Sequence, residues 1–213
     1  MFQPLSAGTP PPLPHPIDPA LLCSPRLRLR QWTAADRAPF AALNADAAVM
    51  EHFPAPLDHA QSDAMADRIE VLIEQQGWGF WAAELLEGPG GAGTPSGAFL
   101  GFIGLHRPTA PLPFAPCVEI GWRIARPFWG RGLATEGARL ALRLGFEALG
   151  LEEIVAFTAQ RNRRSQAVMA RLGMRESPAE AFEHPSVPEG HPVRPHLLYR
   201  LTRTAWRASR QAA

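Results

Sequence analysis

The chain has 213 residues, of which 46% are hydrophobic, and a formal net charge of +1. This length and composition suit one globular domain with a sizeable core. The near-neutral charge gives no electrostatic reason to expect nucleic acid or a membrane surface as a partner. All 21 basic residues are arginine, which together with abundant Ala, Gly and Pro indicates a GC-rich, bacterial genome.

The two cysteines, Cys23 and Cys117, match neither a disulfide framework nor a metal-ligand spacing. No apolar run approaches membrane-spanning length, and the N-terminus lacks the basic and apolar regions of a signal peptide. These observations predict a cytoplasmic protein without a bound metal. Residues 1–22 contain seven of the 23 prolines and predict a flexible arm. We expect a single domain over residues 23–207 and a short tail over 208–213.

The first half of the predicted domain combines strands and helices. Arg26–Arg30 alternates apolar and charged residues, which predicts a half-exposed strand. Thr33 followed by Asp36 predicts a capped helix start. Apolar residues at helical spacing predict a helix over Asp58–Gln76 that ends at Gly77. Two strands, joined by a Gly/Pro/Ser-rich hairpin loop over Glu87–Gly97, follow at Gly79–Leu86 and Ala98–Leu105.

The second half alternates strands and helices. Strands are predicted at Val118–Ile124, Ile154–Thr158 and His196–Thr202, and helices at Leu133–Leu149 and Arg161–Arg171. A long Pro-rich connection covers Ser177–Pro195. This order predicts an α/β fold with a mixed central sheet of about seven strands flanked by about four helices.

A glycine turn lies between the strand that ends at Ile124 and the helix that begins at Leu133. Gly130 and Gly132 allow the backbone to bend and to approach a ligand without a Cβ. The following helix points unpaired N–H groups outward, which suits a phosphate or pyrophosphate. A dinucleotide fold would require a third glycine and a later acidic residue, and a P-loop would require a lysine; neither set is in place.

The segment Trp129-Gly-Arg-Gly-Leu-Ala134 resembles the acyl-CoA pyrophosphate loop of GCN5-related N-acetyltransferases (GNAT), Gln/Arg-x-x-Gly-x-Gly/Ala. Trp129 stands where that pattern has Gln or Arg. The Trp, with Ala-Thr-Glu136 following, resembles the RimJ/RimL-like branch, which acetylates ribosomal-protein N-termini. Asn162, Ser165 and Gly173-Met174 occur in the order of the family's fourth motif. The resemblance covers roughly residues 26–202.

The resemblance implies acetyl-CoA as a co-substrate, no metal, and attack of a neutral amine on the thioester in a ternary complex. The oxyanion would be stabilised by a backbone N–H near Ile124. The residues implied in cofactor binding are Ile124, Ala125, Trp129, Gly130, Arg131, Gly132, Leu133, Ala134, Thr135, Asn162 and Ser165.

Two residues are candidates for proton transfer. Glu119 matches a position where relatives hold a general base that acts through water. Its alternative role is an ion pair with Arg123, which lies on the same strand face. Many relatives have a proton-donating tyrosine at the position of Met169, and Ser165 matches the serine that the RimJ/RimL-like group carries instead. The alternative for Ser165 is a helix-capping role.

The sequence constrains the acceptor amine less than it constrains the co-substrate. An α-amine with a pKa of about 7.7–8.0 is already roughly 10–20% neutral at pH 7, whereas a lysine amine is neutral in well under 1% of molecules. One candidate carboxylate with no obvious histidine partner therefore favours an α-amine. Glu183 and His184, in the late connection, are candidate substrate contacts. A Glu119→Gln change is predicted to lower kcat most visibly below pH 8.

These features predict an acetyl-CoA-dependent N-acetyltransferase that acts on a protein N-terminus or a small amine, as a monomer or homodimer. Two alternatives remain open. One is an antibiotic- or polyamine-type amine acetyltransferase on the same scaffold. The other is a CoA-binding sensor without turnover, which the missing tyrosine allows.

Overall fold

The computed structural model describes residues 17–86 and 96–211. Within them the chain forms a mixed sheet of eight strands and five α-helices. The strands are β1 (Leu27–Arg30), β2 (Phe80–Leu85), β3 (Phe99–His106), β4 (Glu119–Ile124), β5 (Glu153–Ala159), β6 (Arg175–Glu176), β7 (Phe182–Glu183) and β8 (Pro195–Thr202). The helices are α1 (Arg37–Ala45), α2 (His59–Gln76), α3 (Leu133–Arg143, continued by a π-helical turn over Leu144–Ala148), α4 (Arg163–Arg171) and α5 (Arg203–Gln211).

The sheet order is β1-β2-β3-β4-β5-β8-β6, and β7 pairs with β8. The β4–β5 pair is parallel, and the other neighbours are antiparallel. A parallel pair requires a crossover, which α3 supplies. The predicted α/β class with a mixed central sheet is therefore confirmed.

The helices cover both faces of the sheet. On one face, Phe40 of α1 contacts Phe102 of β3, with ring centroids 6.1 Å apart. On the other face, α3 packs so closely that a Cβ on Gly137 would lie 2.3 Å from Ile103 Cδ1. Most of α3 is buried, as its nearly continuous apolar surface predicts. The two faces of β4 therefore pack against different helices.

Several predicted boundaries are present in the structure. Thr33 and Asp36 form a capping box, and Gly77 ends α2 in the left-handed conformation with φ 79°. Residues 87–95 of the predicted hairpin loop lie outside the described residues. In the described residues, no helix is both long and apolar enough to cross a membrane.

The chain ends differ from the prediction. Leu21 and Leu22, placed in the predicted arm, pack against the core, and residues 1–16 of that arm lie outside the described residues. Helix α5 was not predicted and runs into the predicted tail. Its Trp206 is buried and stacks on Phe146, with ring centroids 5.7 Å apart. A single buried aromatic on an otherwise polar helix is too weak a pattern to predict that helix from sequence.

Candidate active site

Strands β4 and β5 separate almost as soon as they meet. Although both strands are fully described, their register contains a single pair, Glu119 opposite Val155. At that end, the Val155 amide donates to the Val118 carbonyl (3.0 Å). Beyond it the strands diverge around a cavity of about 1000 Å³ that is bordered by residues of both. The centre of the sheet is therefore open.

The edge of β4 that faces this cleft carries unpaired backbone groups. The Ala125 amide donates to the Leu100 carbonyl of β3 (2.8 Å), whereas the Val118 carbonyl points to β5. Because N–H groups alternate between the two edges of a strand, the amides of Trp122 and Ile124 point into the cleft. Ile124 borders the cavity as expected, but Ala125 does not, since its amide is used by the sheet.

The glycine turn closes one end of the cleft. Gly130 and Gly132 both adopt the left-handed conformation, with φ 73° and 77°, which disfavours residues with a Cβ. The first helical hydrogen bond of α3 runs from the Glu136 amide to the Gly132 carbonyl (3.0 Å). The amides of residues 133–135 therefore have no acceptor within the helix. All three residues border the cavity, so this end fits a diphosphate.

The turn is held from two sides. The Arg26 guanidinium donates to the Arg131 carbonyl (2.9 Å) and to the Glu136 carboxylate (2.6 Å). The Trp129 indole donates to the Ile124 carbonyl (2.7 Å), and the Arg164 guanidinium lies 4.4 Å from the centre of a Trp129 ring. Trp129 thus joins the turn to the end of β4 and to α4.

A Trp129→Phe variant is expected to bind acetyl-CoA about 2- to 10-fold more weakly, because it retains the ring but loses one hydrogen bond that fixes the turn. Isothermal titration calorimetry measures the change. Trp78→Phe, which changes a buried indole elsewhere in the core, serves as a control for general loosening of the fold. Equal affinities in Trp129→Phe and the unmodified protein would contradict a positioning role for the indole.

The basic residues beside the cavity differ from the expectation. Arg131 does not border it, whereas Arg163 and Arg164 at the start of α4 do. Within the turn, Arg26 fixes the carbonyl of Arg131. The arginines positioned to meet phosphate groups are therefore those of α4.

The start of α4 orients a serine hydroxyl. Asn162 is the N-cap, and its side-chain oxygen accepts from the Ser165 amide (3.1 Å). Its side-chain nitrogen donates to Ser165 Oγ (3.1 Å) and to Thr158 Oγ1 (2.9 Å). Asn162, not Ser165, therefore caps the helix. Because Ser165 Oγ accepts from Asn162, its own hydrogen remains available to another acceptor, and Ser165 borders the cavity.

Glu119 lies at the closed end of the cleft, where the strands still pair. Burial raises the pKa of its carboxyl group to about 8, although the side chain still borders the cavity. It forms no ion pair with Arg123, which instead donates to Asn44 Oδ1 (2.5 Å). The alternative structural role considered for Glu119 is thus not present.

The sequence indicates no histidine partner for Glu119, but His106 lies directly opposite it in the β3–β4 register. Burial lowers the pKa of His106, so its ring is neutral at pH 7. The length of the loop between the two strands does not fix their register, so only the folded sheet reveals this neighbour.

Of the two candidate substrate contacts in the connection before β8, one borders the cavity. His184 borders the cavity, and its ring centroid lies 4.9 Å from that of His196, which also borders it. Burial, with a smaller effect of His196, lowers the pKa of His184 to about 4. Glu183 does not border the cavity; it pairs with Arg194 (3.2 Å). Because successive side chains of a strand point to opposite faces, the side chains of Glu183 and His184 lie on different sides.

Comparison with known proteins agrees with this arrangement. Residues 26–175 match the family model described as an acetyltransferase (GNAT) domain. The chain therefore belongs to the GNAT acetyltransferase family. Members of this family use acetyl-CoA as a co-substrate. In the part of the chain that the structure describes, no group of His, Cys, Asp and Glu is arranged to hold a metal ion.

Three similar proteins illustrate the relationship. An Aspergillus fumigatus FsC-acetyl coenzyme A-N(2)-transacetylase is 38% identical over 94 residues, which is 41% of this chain and 37% of that protein. A Bacillus subtilis putative ribosomal N-acetyltransferase, YdaF, is 35% identical over 80 residues, or 38% of this chain and 42% of that protein. The chain thus spans less than half the length of these two relatives. An acetyltransferase structure from Agrobacterium tumefaciens superposes with a TM-score of 0.64 at 26% identity, over 84% of this chain and 92% of that one.

Proposed function

We propose that the chain transfers the acetyl group of acetyl-CoA to a primary amine, as a RimJ/RimL-like N-acetyltransferase. The acceptor is a protein N-terminal α-amine or a small-molecule amine. The observation that carries this proposal is the cleft between β4 and β5, which joins diphosphate-binding amides at the start of α3 to free amides on the β4 edge.

The residues around the cleft supply the binding of the co-substrate. The amides of residues 133–135 and the arginines Arg163 and Arg164 face the end that fits phosphate groups. The free edge of β4 offers hydrogen bonds to an extended, amide-containing chain laid beside it, as a further strand would. A thioester at the end of such a chain lies near the Ile124 amide.

The chemistry follows from the groups at that point. The Ile124 N–H stabilises the thioester oxygen as the amine nitrogen attacks the carbonyl carbon. The C–N bond forms and the C–S bond breaks, and Ser165 Oγ passes its proton to the departing sulfur and regains one from solvent. Glu119 removes a proton from the amine through water. Its pKa of about 8 is near that of an α-amine, which suits proton transfer between them.

Two features support the RimJ/RimL-like branch. Trp129 and Ser165 stand where that branch carries its distinguishing residues, and both border the cleft. The name of the similar protein from Bacillus subtilis, a putative ribosomal N-acetyltransferase, points the same way.

Two measurements test the proposed function. Calorimetric titration with acetyl-CoA is expected to show binding at a single site per chain. Thiol release is then followed with short peptides that have a free or a blocked N-terminus, and with small amines and polyamines. Release with free-amine acceptors is the expected result. Binding without thiol release for every amine would instead indicate a CoA-binding sensor.

A further inference from the structure

Arg123 is a buried cation on the acceptor side of the cleft. It is 8% exposed and borders the cavity. Its guanidinium contacts Asn44 of α1 and Met65 of α2, which cover the face of the sheet opposite α3. Helix α4 packs beside α3. The groups that fit the coenzyme phosphates and the Arg123 guanidinium are thus contributed by opposite faces of the sheet.

The contacts of Arg123 do not neutralise its charge. It makes no ion pair with any described carboxylate, in contrast to Arg26, Arg28 and Arg30, which all do. Nη1 donates to Asn44, and Nε is buried without a partner among the described residues. Nη2 has no hydrogen bond to the described residues. A guanidinium has five N–H donors, so most of its hydrogen-bonding capacity is unused.

The packing around Arg123 is aromatic and neutral. The guanidinium carbon lies 4.2 Å from the centre of the Phe53 ring and 5.4 Å from that of Phe102. Cation–π contacts compensate part of the desolvation cost of a cation but provide no counter-charge. Burial lowers the pKa of Arg123 to about 10, so it is still protonated at neutral pH. Its hydrogen bond to Asn44 uses only one of the five donors, so this structural contact accounts for only part of the guanidinium.

We propose that Arg123 binds a carboxylate of the acceptor, so that the substrate is an amine that also carries a carboxylate group. This inference rests on the proposed function and specifies its acceptor. Glu119 is the single carboxylate among the described residues that border the cavity, so the site itself offers no competing anion near Arg123.

Glu119 and Arg123 lie on the same face of β4, four residues apart, so their Cα atoms are about 13 Å apart at roughly 3.3 Å per residue. The thioester lies near Ile124, which directly follows Arg123 in the strand. The amine of an acceptor held by Arg123 through its carboxylate therefore meets the thioester at this end, and Glu119 reaches that amine through water. The carboxylate of a free amino acid and the side-chain carboxylate of an acidic peptide N-terminus both supply this chemistry.

Matched acceptors test the inference and separate these two sources. One arm compares β-alanine with β-alaninamide, and the other compares Asp-Ala-amide with Asn-Ala-amide, each in the unmodified protein and in Arg123→Gln. The quantity compared is kcat/KM for the carboxylate acceptor divided by kcat/KM for its amide. For at least one pair of acceptors, we expect this ratio to be roughly 10- to 100-fold lower in Arg123→Gln than in the unmodified protein. Because amine basicity is the same in both proteins, comparing the ratios cancels it.

Arg107→Gln is the matched control. Arg107 also lies beside an aromatic ring, 5.4 Å from the centre of the Trp78 ring, and has no ion pair among the described residues. It does not border the cavity, so its ratios should equal those of the unmodified protein. Acetyl-CoA affinity is measured in both variants to show that they fold. Equal ratios in Arg123→Gln and the unmodified protein in both arms would overturn the inference.

A binding measurement separates this inference from the proposed function. N-acetyl-β-alanine and N-acetyl-aspartyl-alaninamide, with their amide counterparts, are titrated into the CoA-bound protein. Preference for a carboxylate ligand that disappears in Arg123→Gln supports the inference even if no amine is acetylated. Turnover of neutral amines with no such preference would leave the proposed function intact and refute the carboxylate site.

Discussion

A Gly132→Trp variant is expected to bind acetyl-CoA at least about 100-fold more weakly than the unmodified protein, as measured by calorimetry. Gly132 is the N-cap of α3 and borders the cavity where the free amides of residues 133–135 lie. An indole there would occupy the space of a diphosphate, and each lost charge-assisted hydrogen bond contributes about 1.5–3 kcal/mol. Losing one or two such bonds accounts for the expected change, since every 1.4 kcal/mol is about tenfold in affinity.

Backbone strain is a separate effect of this substitution, because Gly132 has φ 77°. Gly150→Trp is the matched control: Gly150 has φ 66°, is exposed, and lies beyond the opposite end of α3. Both variants should unfold at lower temperatures than the unmodified protein. Only Gly132→Trp should lose acetyl-CoA affinity, and normal affinity in that variant would refute the placement of the diphosphate at the glycine turn.

Replacing Glu119 by Gln is expected to lower kcat by about 10- to 100-fold at pH 8 and above, with acetyl-CoA affinity nearly unchanged. General bases typically contribute about 10²- to 10⁴-fold, and an acceptor that is already partly neutral needs the least help. The structure changes the pH range expected from sequence. Because the pKa of Glu119 is raised to about 8, the carboxylate is mostly protonated below pH 8. The largest effect therefore lies at and above pH 8, not below it.

Two acceptors of different basicity identify the group that titrates. With an α-amine, the titrations of the acceptor and Glu119 overlap near pH 8; with an alkyl amine, the titration of the acceptor moves to about pH 10. A rise in rate near pH 8 that is common to both acceptors belongs to Glu119 and should be absent in Glu119→Gln. A pH–rate profile unaltered by the substitution would leave Glu119 without a role as base.

The same pKa has a consequence for stability. Burial raises the pKa of Glu119 from 4.5 to about 8, so the folded state holds this proton more tightly than the unfolded state does. The contribution of the protonated carboxyl to stability is complete below pH 4.5 and is lost as the pH rises to about 8. Thermal unfolding should therefore show Glu119→Gln gaining stability relative to the unmodified protein between these pH values. A difference in Tm that does not depend on pH would contradict the raised pKa.

Features encoded by short stretches could be predicted from the sequence. The glycine turn, the capping box at Thr33 and the left-handed end of α2 at Gly77 each depend on a few adjacent residues, whose conformational preferences act locally. The order of strands and helices follows from hydrophobic periodicity, which is also local. These elements were sufficient to predict the mixed sheet and to place the turn between β4 and α3.

Features that depend on contacts between distant residues could not be predicted. The register that sets His106 opposite Glu119, and the hydrogen bond that joins Arg123 to Asn44, link residues that are distant in the sequence. Whether Arg131 borders the cavity could not be predicted for the same reason, because the direction of a side chain within a turn depends on its tertiary neighbours.

The sequence by itself thus determined the local conformations: which segments are strands and helices, and where the chain must bend through glycine. Only the tertiary structure decided that β4 and β5 diverge after Glu119 and Val155, and that the cavity beside them holds a buried arginine without an ion pair to any described carboxylate. The physical reason is that backbone preferences act within a few residues. Strand separation, burial and the resulting pKa values depend on which surfaces pack together across the whole chain.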